Sequence, residues 1–166
     1  FKTDFPLAVI ILIFSGQPMP EVNIMKVKDI MSTEVASVNS DDSIEKAAQL
    51  MKQYDVGSIP VCSQEKIVGI VTDRDIALRA TARGQKSQQQ TVSDIMSSNP
   101  VVGSPDMDVH DAARIMSEKQ IRRLPIVDQN NLVGIVALGD ISVEPDLQDN
   151  AEEALKNISQ PNDSRM

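Results

Sequence analysis

Apolar positions with helical spacing occur in two segments of the chain. The spacing i, i+3, i+4 and i+7 places side chains on one face of an α-helix. The residues that follow it are Ile44, Ala47, Ala48 and Met51 in the first segment, and Val109, Ala112, Ala113 and Met116 in the second. Each segment is therefore predicted to form an amphipathic helix that buries one face.

Two short runs rich in β-branched residues follow each predicted helix. They are residues 58–62 and 67–72 after the first helix, and residues 123–127 and 132–137 after the second. Four polar residues separate the two runs of each pair, which predicts two β-hairpins with four-residue connections. Further helices are predicted at residues 73–83, from about Leu138, and at residues 149–158.

These elements belong to an internal repeat, because residues 27–78 align with residues 92–143 without a gap. Val-Lys-Asp-Ile-Met-Ser corresponds to Val-Ser-Asp-Ile-Met-Ser, and Ile-Val-Gly-Ile-Val corresponds to Leu-Val-Gly-Ile-Val. Duplicated units of this length cannot bury their apolar faces alone, so the copies are expected to pack together. The predicted fold class is α/β (α+β), with two pseudo-twofold-related units that each run strand-helix-strand-strand-helix.

The repeat divides the 166 residues into five regions. They are an N-terminal extension at 1–24, a first domain at 25–84, a polar linker at 85–91, a second domain at 92–143 and an acidic C-terminal tail at 144–166. The extension holds all three Phe residues and an apolar run at residues 7–14. This run is much shorter than the roughly 20 residues of a membrane-spanning helix. The extension is interpreted as a non-native or wrongly included upstream segment, a native element that packs on a partner, or a targeting remnant, with Met25 as the natural start.

Composition narrows the function classes. The chain has 24 acidic and 16 basic residues and a net charge of −8, which argues against nucleic acid as the main partner. Its one cysteine, Cys62, cannot form an internal disulfide, so the reducing cytoplasm is the predicted location. The sequence shows no nucleophile–base pair, carboxylate dyad or metal-ligand spacing, and the protein is therefore not predicted to be an enzyme.

The two copies resemble a tandem pair of cystathionine-β-synthase (CBS) domains, often called a Bateman module. The resemblance rests on Asp-Ile-Met-Ser in each copy, on Val-Gly-Ser-Ile-Pro-Val and Arg-Arg-Leu-Pro-Ile-Val-Asp, and on Val-Gly-Ile-Val before the next predicted helix. The chain resembles the stand-alone two-domain members found in bacteria. The resemblance implies a regulatory module that binds adenosine-containing ligands in clefts between the copies and forms a homodimer.

Thr72 and Asp75 are candidate ligand-binding residues. A carboxylate at a helix start can accept hydrogen bonds from ribose hydroxyls, and a hydroxyl three residues earlier favours a phosphate. The same Thr-x-x-Asp spacing is also a helix capping box that needs no ligand. The second copy keeps Asp140 but has Ala137 in place of the threonine. With the resemblance, Asp75 and Asp140 are both ribose candidates, and the two clefts are expected to be unequal.

Arg122 and Arg123 lie where the first copy has Gly57 and Ser58. Guanidinium groups bind phosphates bidentately, although arginines at a strand edge are also commonly just solvated. In the resembling proteins this position contacts ligand phosphates. Arg123 is therefore preferred over Arg122 as a phosphate ligand, and Gly57 and Ser58 are included as their counterparts.

The adenine ring is expected to lie against apolar side chains and backbone amides. By the resemblance, these residues are Val35, Ala36 and Val56 in one cleft, and Val101 and Ile121 in the other. All five would serve equally well as ordinary core residues.

The sequence thus predicts a cytoplasmic sensor. Binding of AMP, ADP, ATP or a related adenosyl compound would shift the population of two dimer arrangements, which an unidentified regulated protein reads. The residues do not distinguish these ligands from S-adenosylmethionine, NAD or cyclic di-AMP. A dimerising scaffold with degenerate clefts is the alternative, and a membrane-proximal role through residues 7–14 is the third interpretation.

Overall fold

The computed structural model describes residues 24–81 and 90–160. The apolar run at residues 7–14, the end of the helix predicted at residues 73–83 and most of the linker predicted at residues 85–91 lie outside the described residues. Within the two described stretches, no helix is long and apolar enough to cross a bilayer.

The first copy contains the predicted elements, preceded by one helical turn. In chain order they are α1 (Val27–Ile30), β1 (Val38–Asn39), α2 (Ile44–Tyr54), β2 (Ser58–Ser63), β3 (Lys66–Thr72) and α3 (Asp73–Asp75), which continues as a π-helical turn at Ile76–Ala80. Ser43 begins α2, because its hydroxyl oxygen accepts the Lys46 N–H at 3.2 Å. Asp55 ends α2 in the left-handed conformation, which closes the last turn of the helix.

The second copy repeats this order and adds a C-terminal helix. Its elements are a 3₁₀ turn (Val92–Asp94), β4 (Ser97–Ser98), α4 (Val109–Lys119), β5 (Arg123–Asp128), β6 (Asn131–Ala137) and α5 (Leu138–Ser142), followed by a 3₁₀ turn (Pro145–Leu147) and α6 (Gln148–Ile158). The counterpart of β1 is only a parallel bridge between Gly103 and Ile126. The predicted strand-helix-strand-strand-helix order is confirmed, as is the helix predicted at residues 149–158.

The strands form one sheet in the order β1-β2-β3-β6-β5, with β4 also paired to β3. The two copies exchange the segments that follow their first helical turns. Ser97 pairs with Ile70 of the first copy, and its equivalent Ser32 pairs with Ile135 of the second copy. Because each pairing has its repeat-equivalent, the two units are related by the predicted pseudo-twofold axis.

Two glycines permit this close exchange. A Cβ on Gly69 would lie 2.6 Å from Sδ of Met96 and 2.9 Å from the carbonyl oxygen of Ser97. A Cβ on Gly134 would lie 2.6 Å from Sδ of Met31. Non-bonded carbon contacts normally need about 3.5 Å or more. The glycine in each Val-Gly-Ile-Val run is therefore required by the contact between the copies.

The two hairpin connections are shorter than predicted. The first strand pair extends to Ser63 and Lys66, which leaves only Gln64 and Glu65 in the turn, and the second copy has the same two-residue turn. All four turn residues have positive φ, between 48° and 70°, as in a type I′ turn. The prediction of four-residue connections is wrong, because polar side chains at strand ends do not prevent their backbone from joining the ladder.

The C-terminal helix makes the two halves of the molecule unequal. The predicted apolar faces of α2 and α4 are buried except at Ala48, which is exposed. Its equivalent in α4, Ala113, is 2% exposed because α6 packs along α4 and its Ala151 and Ala154 join the same core. Among the described residues, α2 has no such covering helix. Within residues 24–81 and 90–160, one side of the first copy's helical face is therefore left uncovered.

Candidate functional site

A cavity of about 870 Å³ lies between the two copies, and we call it the first cleft. Its lining residues come from both copies and from the end of α6: Thr72, Arg74, Asp75, Leu78, Arg79, Ser97, Gln120, Ile121, Arg122, Ile158 and Ser159. Small-molecule sites commonly occupy roughly 300–1,000 Å³. Four predicted ligand-binding residues therefore share one cavity of suitable size: Thr72, Asp75, Ile121 and Arg122.

Thr72 and Asp75 form a complete capping box at the start of α3. The Thr72 hydroxyl oxygen accepts the Asp75 N–H at 3.0 Å, and Oδ2 of Asp75 accepts the Thr72 N–H at 3.0 Å. The Thr72 hydroxyl also donates to Oδ2 of Asp75 at 2.9 Å. The helix-capping role, which the sequence analysis gave as the alternative to ligand binding, is therefore present in the structure. The hydroxyl hydrogen of Thr72 is already used by Asp75.

The second oxygen of Asp75 retains capacity for a ligand. Oδ1 lies 3.4 Å from Nε of Arg79, whose Nη1 donates to the carbonyl oxygen of Ile95 at 2.7 Å. A carboxylate oxygen can accept more than one hydrogen bond, so this contact leaves room for a hydroxyl donor. Because the Asp75 side chain is only 14% exposed and is held at both oxygens, its orientation in the cleft is fixed.

Asp140 has a structural role of its own. Oδ2 of Asp140 accepts the Ala137 N–H at 2.8 Å, which is half of the box seen in the first copy. This bond alone accounts for an aspartate at this position, so its presence beside Ala137 is no sign of a ligand. Asp140 is also not among the residues that line the first cleft or the arginine cavity described next.

A second cavity, of about 610 Å³, lies where β5, α5 and α6 meet, and we call it the arginine cavity. Its lining residues are Arg122, Arg123, Ala137, Leu138, Gly139, Ser142, Gln148, Ala151, Glu152 and Leu155. Arg122 lines both cavities. Nη1 of Arg123 donates to the hydroxyl of Ser58 at 3.4 Å, which joins repeat-equivalent residues of the two copies.

The arginines differ in their partners. On the surface, Arg114 contacts Asp111 and Glu118, each at 3.0 Å. The arginines that have no carboxylate partner within residues 24–81 and 90–160 all line a cavity: Arg74, Arg122 and Arg123. Unpaired guanidinium groups beside a cavity favour an anionic ligand.

Gly57 supports α3 through its backbone. Its carbonyl oxygen accepts the Asp73 N–H at 3.0 Å, and a Cβ at Gly57 would lie 3.2 Å from Oδ2 of Asp73. The equivalent bond in the second copy joins Leu138 N–H to the Arg122 carbonyl at 2.9 Å. The strand start and the helix start are therefore fixed to each other in both copies.

The other apolar candidates lie outside the first cleft. Ala36, Val56 and Val101 are half-buried and line neither the first cleft nor the arginine cavity. Val35 lines a separate depression that also contains Cys62. Burial raises the pKa of the Cys62 thiol above its usual value, and the hydrogen bond to Ser37 offsets only part of this increase. Cys62 is a free, buried thiol, as expected for a core residue.

Sequence reasoning missed the contribution of α6 to the first cleft. Nδ2 of Asn157 donates to the Ser117 hydroxyl at 2.8 Å, and Nε2 of Gln120 donates to the Asn157 carbonyl at 3.2 Å. These bonds place Ile158 and Ser159 in the cleft wall. A signal was present in the sequence, since Ala151, Ala154, Leu155 and Ile158 follow the spacing i, i+3, i+4, i+7.

Comparison with known proteins gives consistent matches. Residues 27–80 and 92–144 each match the family model of the CBS domain. The chain is 54% identical to the CBS domain-containing protein YhcV of Bacillus subtilis (strain 168) over 136 residues, 82% of this chain and 96% of that protein. The CBS domain pair of protein MJ0100 in complex with 5′-methylthioadenosine and S-adenosyl-L-methionine has a TM-score of 0.64 and 35% identity, over 72% of this chain and 94% of that chain. CBSX2 in complex with AMP has a TM-score of 0.63 and 32% identity, over 74% and 96%.

Proposed function

The chain belongs to the CBS-domain family, and we propose that it is a regulatory module that binds an adenosine-containing nucleotide in the first cleft. The observation that carries the proposal is the meeting of Asp75 from one copy with Ile121 and Arg122 from the other in a single cavity. The similar structures of MJ0100 and CBSX2 contain adenosyl ligands, which supports the same ligand class here.

Each part of the nucleotide has a partner of suitable chemistry in the first cleft. Oδ1 of Asp75 can accept a ribose hydroxyl, and the half-buried Ile121 offers an apolar surface for the adenine ring. Arg122 supplies positive charge for the phosphate, and the adjacent Arg123 begins β5. We assign Thr72 the role of holding Asp75, because its hydroxyl hydrogen is already donated to that carboxylate.

For the second cleft we propose a weaker site. Asp140 would bind the ribose there, and Val35, Ala36, Val56, Gly57 and Ser58 from the first copy would complete the site. Because Ala137 has no hydroxyl, the Asp140 carboxylate is held by one backbone bond, whereas the Asp75 carboxylate accepts two hydrogen bonds from Thr72. A less restrained carboxylate loses more entropy on binding.

Isothermal titration calorimetry tests the proposal. AMP, ATP and S-adenosylmethionine should give saturable heat, and GMP should give less. Arg122→Gln should weaken AMP binding about tenfold while changing adenosine binding little, because it removes only a charge-assisted phosphate contact. Arg114→Gln is the matched control, since Arg114 is an exposed arginine that lines neither the first cleft nor the arginine cavity.

A scaffold without ligands is the second candidate function. The capping roles of Asp75 and Asp140 favour it, because both aspartates are satisfied without a nucleotide. Absence of heat with every adenosyl compound at millimolar concentration would leave the scaffold as the function. A larger loss of AMP affinity in Arg122→Gln than in Arg114→Gln would exclude a scaffold function without ligands.

We further propose that the chain forms a homodimer through the open side of the first copy's helices. On α2, Tyr54 is 54% exposed, and Ala48 is exposed where its equivalent is covered by α6. Apolar side chains left open on one copy and covered on the other favour a second chain as the cover. A partner protein that reads the dimer, and a location in the cytoplasm, remain predictions from the sequence.

A further inference from the structure

Arg79 joins the two copies at the wall of the first cleft. It lies in the π-helical turn Ile76–Ala80 of the first copy. Its Nη1 donates to the carbonyl oxygen of Ile95 at 2.7 Å and to that of Met96 at 3.3 Å, both in the second copy. Its Nε lies 3.4 Å from Oδ1 of Asp75. One guanidinium group therefore contacts both the candidate ribose carboxylate and the backbone of the other copy.

The backbone that holds Arg79 is itself fixed. The Ile95 side chain is 1% exposed, and the N–H groups of Ile95 and Met96 both donate to the Val92 carbonyl oxygen, at 3.1 and 2.9 Å. A guanidinium group carries several donors in one plane, so Arg79 can bind this backbone and face a carboxylate at the same time. The position of Arg79 beside Asp75 is therefore set by the contact between the copies.

The second copy has a different residue at this position. One place beyond the aligned repeat, Arg79 corresponds to Glu144. An ionised carboxylate cannot donate to a backbone carbonyl and repels another carboxylate, so Glu144 cannot hold Asp140 in the same way. The equivalent residues 141–145 end α5 and begin a 3₁₀ turn, whereas Ile76–Ala80 form a π-helical turn, a rare element that is frequent at functional sites. Arg79 is therefore a feature of one cleft and not of the repeat.

We propose that Arg79 is a positioning residue that holds the Asp75 carboxylate in the orientation that binds the ribose hydroxyls. This inference rests on the proposed nucleotide function of the first cleft. Arg79 restrains Oδ1, while the N–H and hydroxyl of Thr72 hold Oδ2 at 3.0 and 2.9 Å. A carboxylate that is restrained at both oxygens loses less freedom when it binds a diol. Arg79 should therefore strengthen binding of the ribose hydroxyls in particular.

The test compares adenosine with 2′,3′-dideoxyadenosine by calorimetry on the full chain. The two compounds share the adenine ring and lack a phosphate, so their difference in affinity reports on the ribose hydroxyls alone. Wild type should prefer adenosine at least about tenfold, as expected for hydrogen bonds to a charged group. Arg79→Gln should reduce this preference to about threefold or less and leave the affinity for dideoxyadenosine unchanged. A purely structural role of Arg79 would weaken both compounds equally and keep the preference.

Two further variants serve as controls. Arg74 also lines the first cleft but has no carboxylate partner within residues 24–81 and 90–160. Arg74→Gln removes the same charge from the same cleft and should leave the preference for adenosine unchanged. Arg79→Lys keeps a positive charge near Asp75 and should restore part of the preference.

The proposal is overturned if Arg79→Gln keeps the wild-type preference, or if Arg74→Gln reduces the preference as much as Arg79→Gln does. In both cases, adenosine binding by wild type would leave the nucleotide function standing. A wild-type chain that binds neither compound, nor AMP, would reject the nucleotide function and the role of Arg79 together.

Discussion

Removing the Asp75 carboxylate should separate its capping role from its binding role, with Asp140 as the matched control. Asp75→Ala removes the acceptor of the Thr72 N–H at 3.0 Å, and Asp140→Ala removes the acceptor of the Ala137 N–H at 2.8 Å. Loss of a cap typically costs about 0.5–2 kcal/mol. Both variants should therefore lower the free energy of unfolding, measured by urea denaturation, and Asp75→Ala should lower it more because it also loses the Thr72 hydroxyl bond and the Arg79 contact.

Only Asp75→Ala should strongly reduce nucleotide affinity in the first cleft. A hydrogen bond to a charged group contributes about 1.5–3 kcal/mol, which corresponds to roughly a tenfold to hundredfold change in affinity. Asp140 does not line this cleft, and effects at separate sites are nearly additive, so Asp140→Ala should change that affinity by less than about threefold. The loss should appear with adenosine as well as AMP, because the ribose hydroxyls are common to both.

The assay is calorimetry on all three proteins at a temperature where each is folded. Equal affinity of wild type and Asp75→Ala would show that Asp75 is only a helix cap. Equal losses in the two variants would show that destabilisation, and not a ribose contact, controls binding. Either result would refute the assignment of Asp75 to the ribose.

Three further predictions concern stability and assembly. Gly69→Ala should lower the free energy of unfolding by about 1–3 kcal/mol in urea denaturation, because the new Cβ would lie 2.9 Å from the Ser97 carbonyl oxygen. Unchanged stability would contradict the close contact between the two copies at this glycine. Ala48→Glu should shift the dimer towards monomer in analytical ultracentrifugation by placing a charge on the open side of α2, and an unchanged dimer would place the interface elsewhere. Although burial opposes it, the hydrogen bond from Lys46 and a backbone N–H lower the pKa of Asp42 from 3.8. Its contribution to stability should be complete above pH 3.8 and be lost as the pH falls through the lowered pKa, and Asp42→Asn should reduce this acid dependence in urea titrations between pH 6 and pH 2.

Local patterns in the sequence were sufficient to predict the repeat and the elements of each copy. The spacing of Ile44, Ala47 and Met51 reports directly on a helix face, and the β-branched runs report on strands. The same pattern could not show that Ala48 is exposed while Ala113 is buried, because the difference comes from α6, which covers only one of two equivalent helices. Burial of this kind depends on tertiary packing and not on the local period.

The composition of the first cleft could be predicted only in part for the same reason. Thr72 and Asp75 stand out through their spacing within one turn, which is local information. Their meeting with Ile121 and Arg122 depends on how the two copies pack, and no local spacing encodes it. The sequence also could not decide between a cap and a ligand site, because one aspartate carboxylate has enough acceptor capacity for both roles.

The C-terminal helix adds a second difference between the two copies, beside the presence of Ala137 where the first copy has Thr72. Asn157 ties α6 to Ser117 and Gln120 in the turn that presents Ile121, and Ile158 then forms part of the first cleft. A nucleotide that contacts both isoleucines would bind more tightly when α6 is docked, and by linkage it would hold α6 in place by the same free energy. No repeat-equivalent of this arrangement occurs among the described residues of the first copy. By this linkage, occupancy of the first cleft would be transmitted through α6 to a surface outside the paired domains.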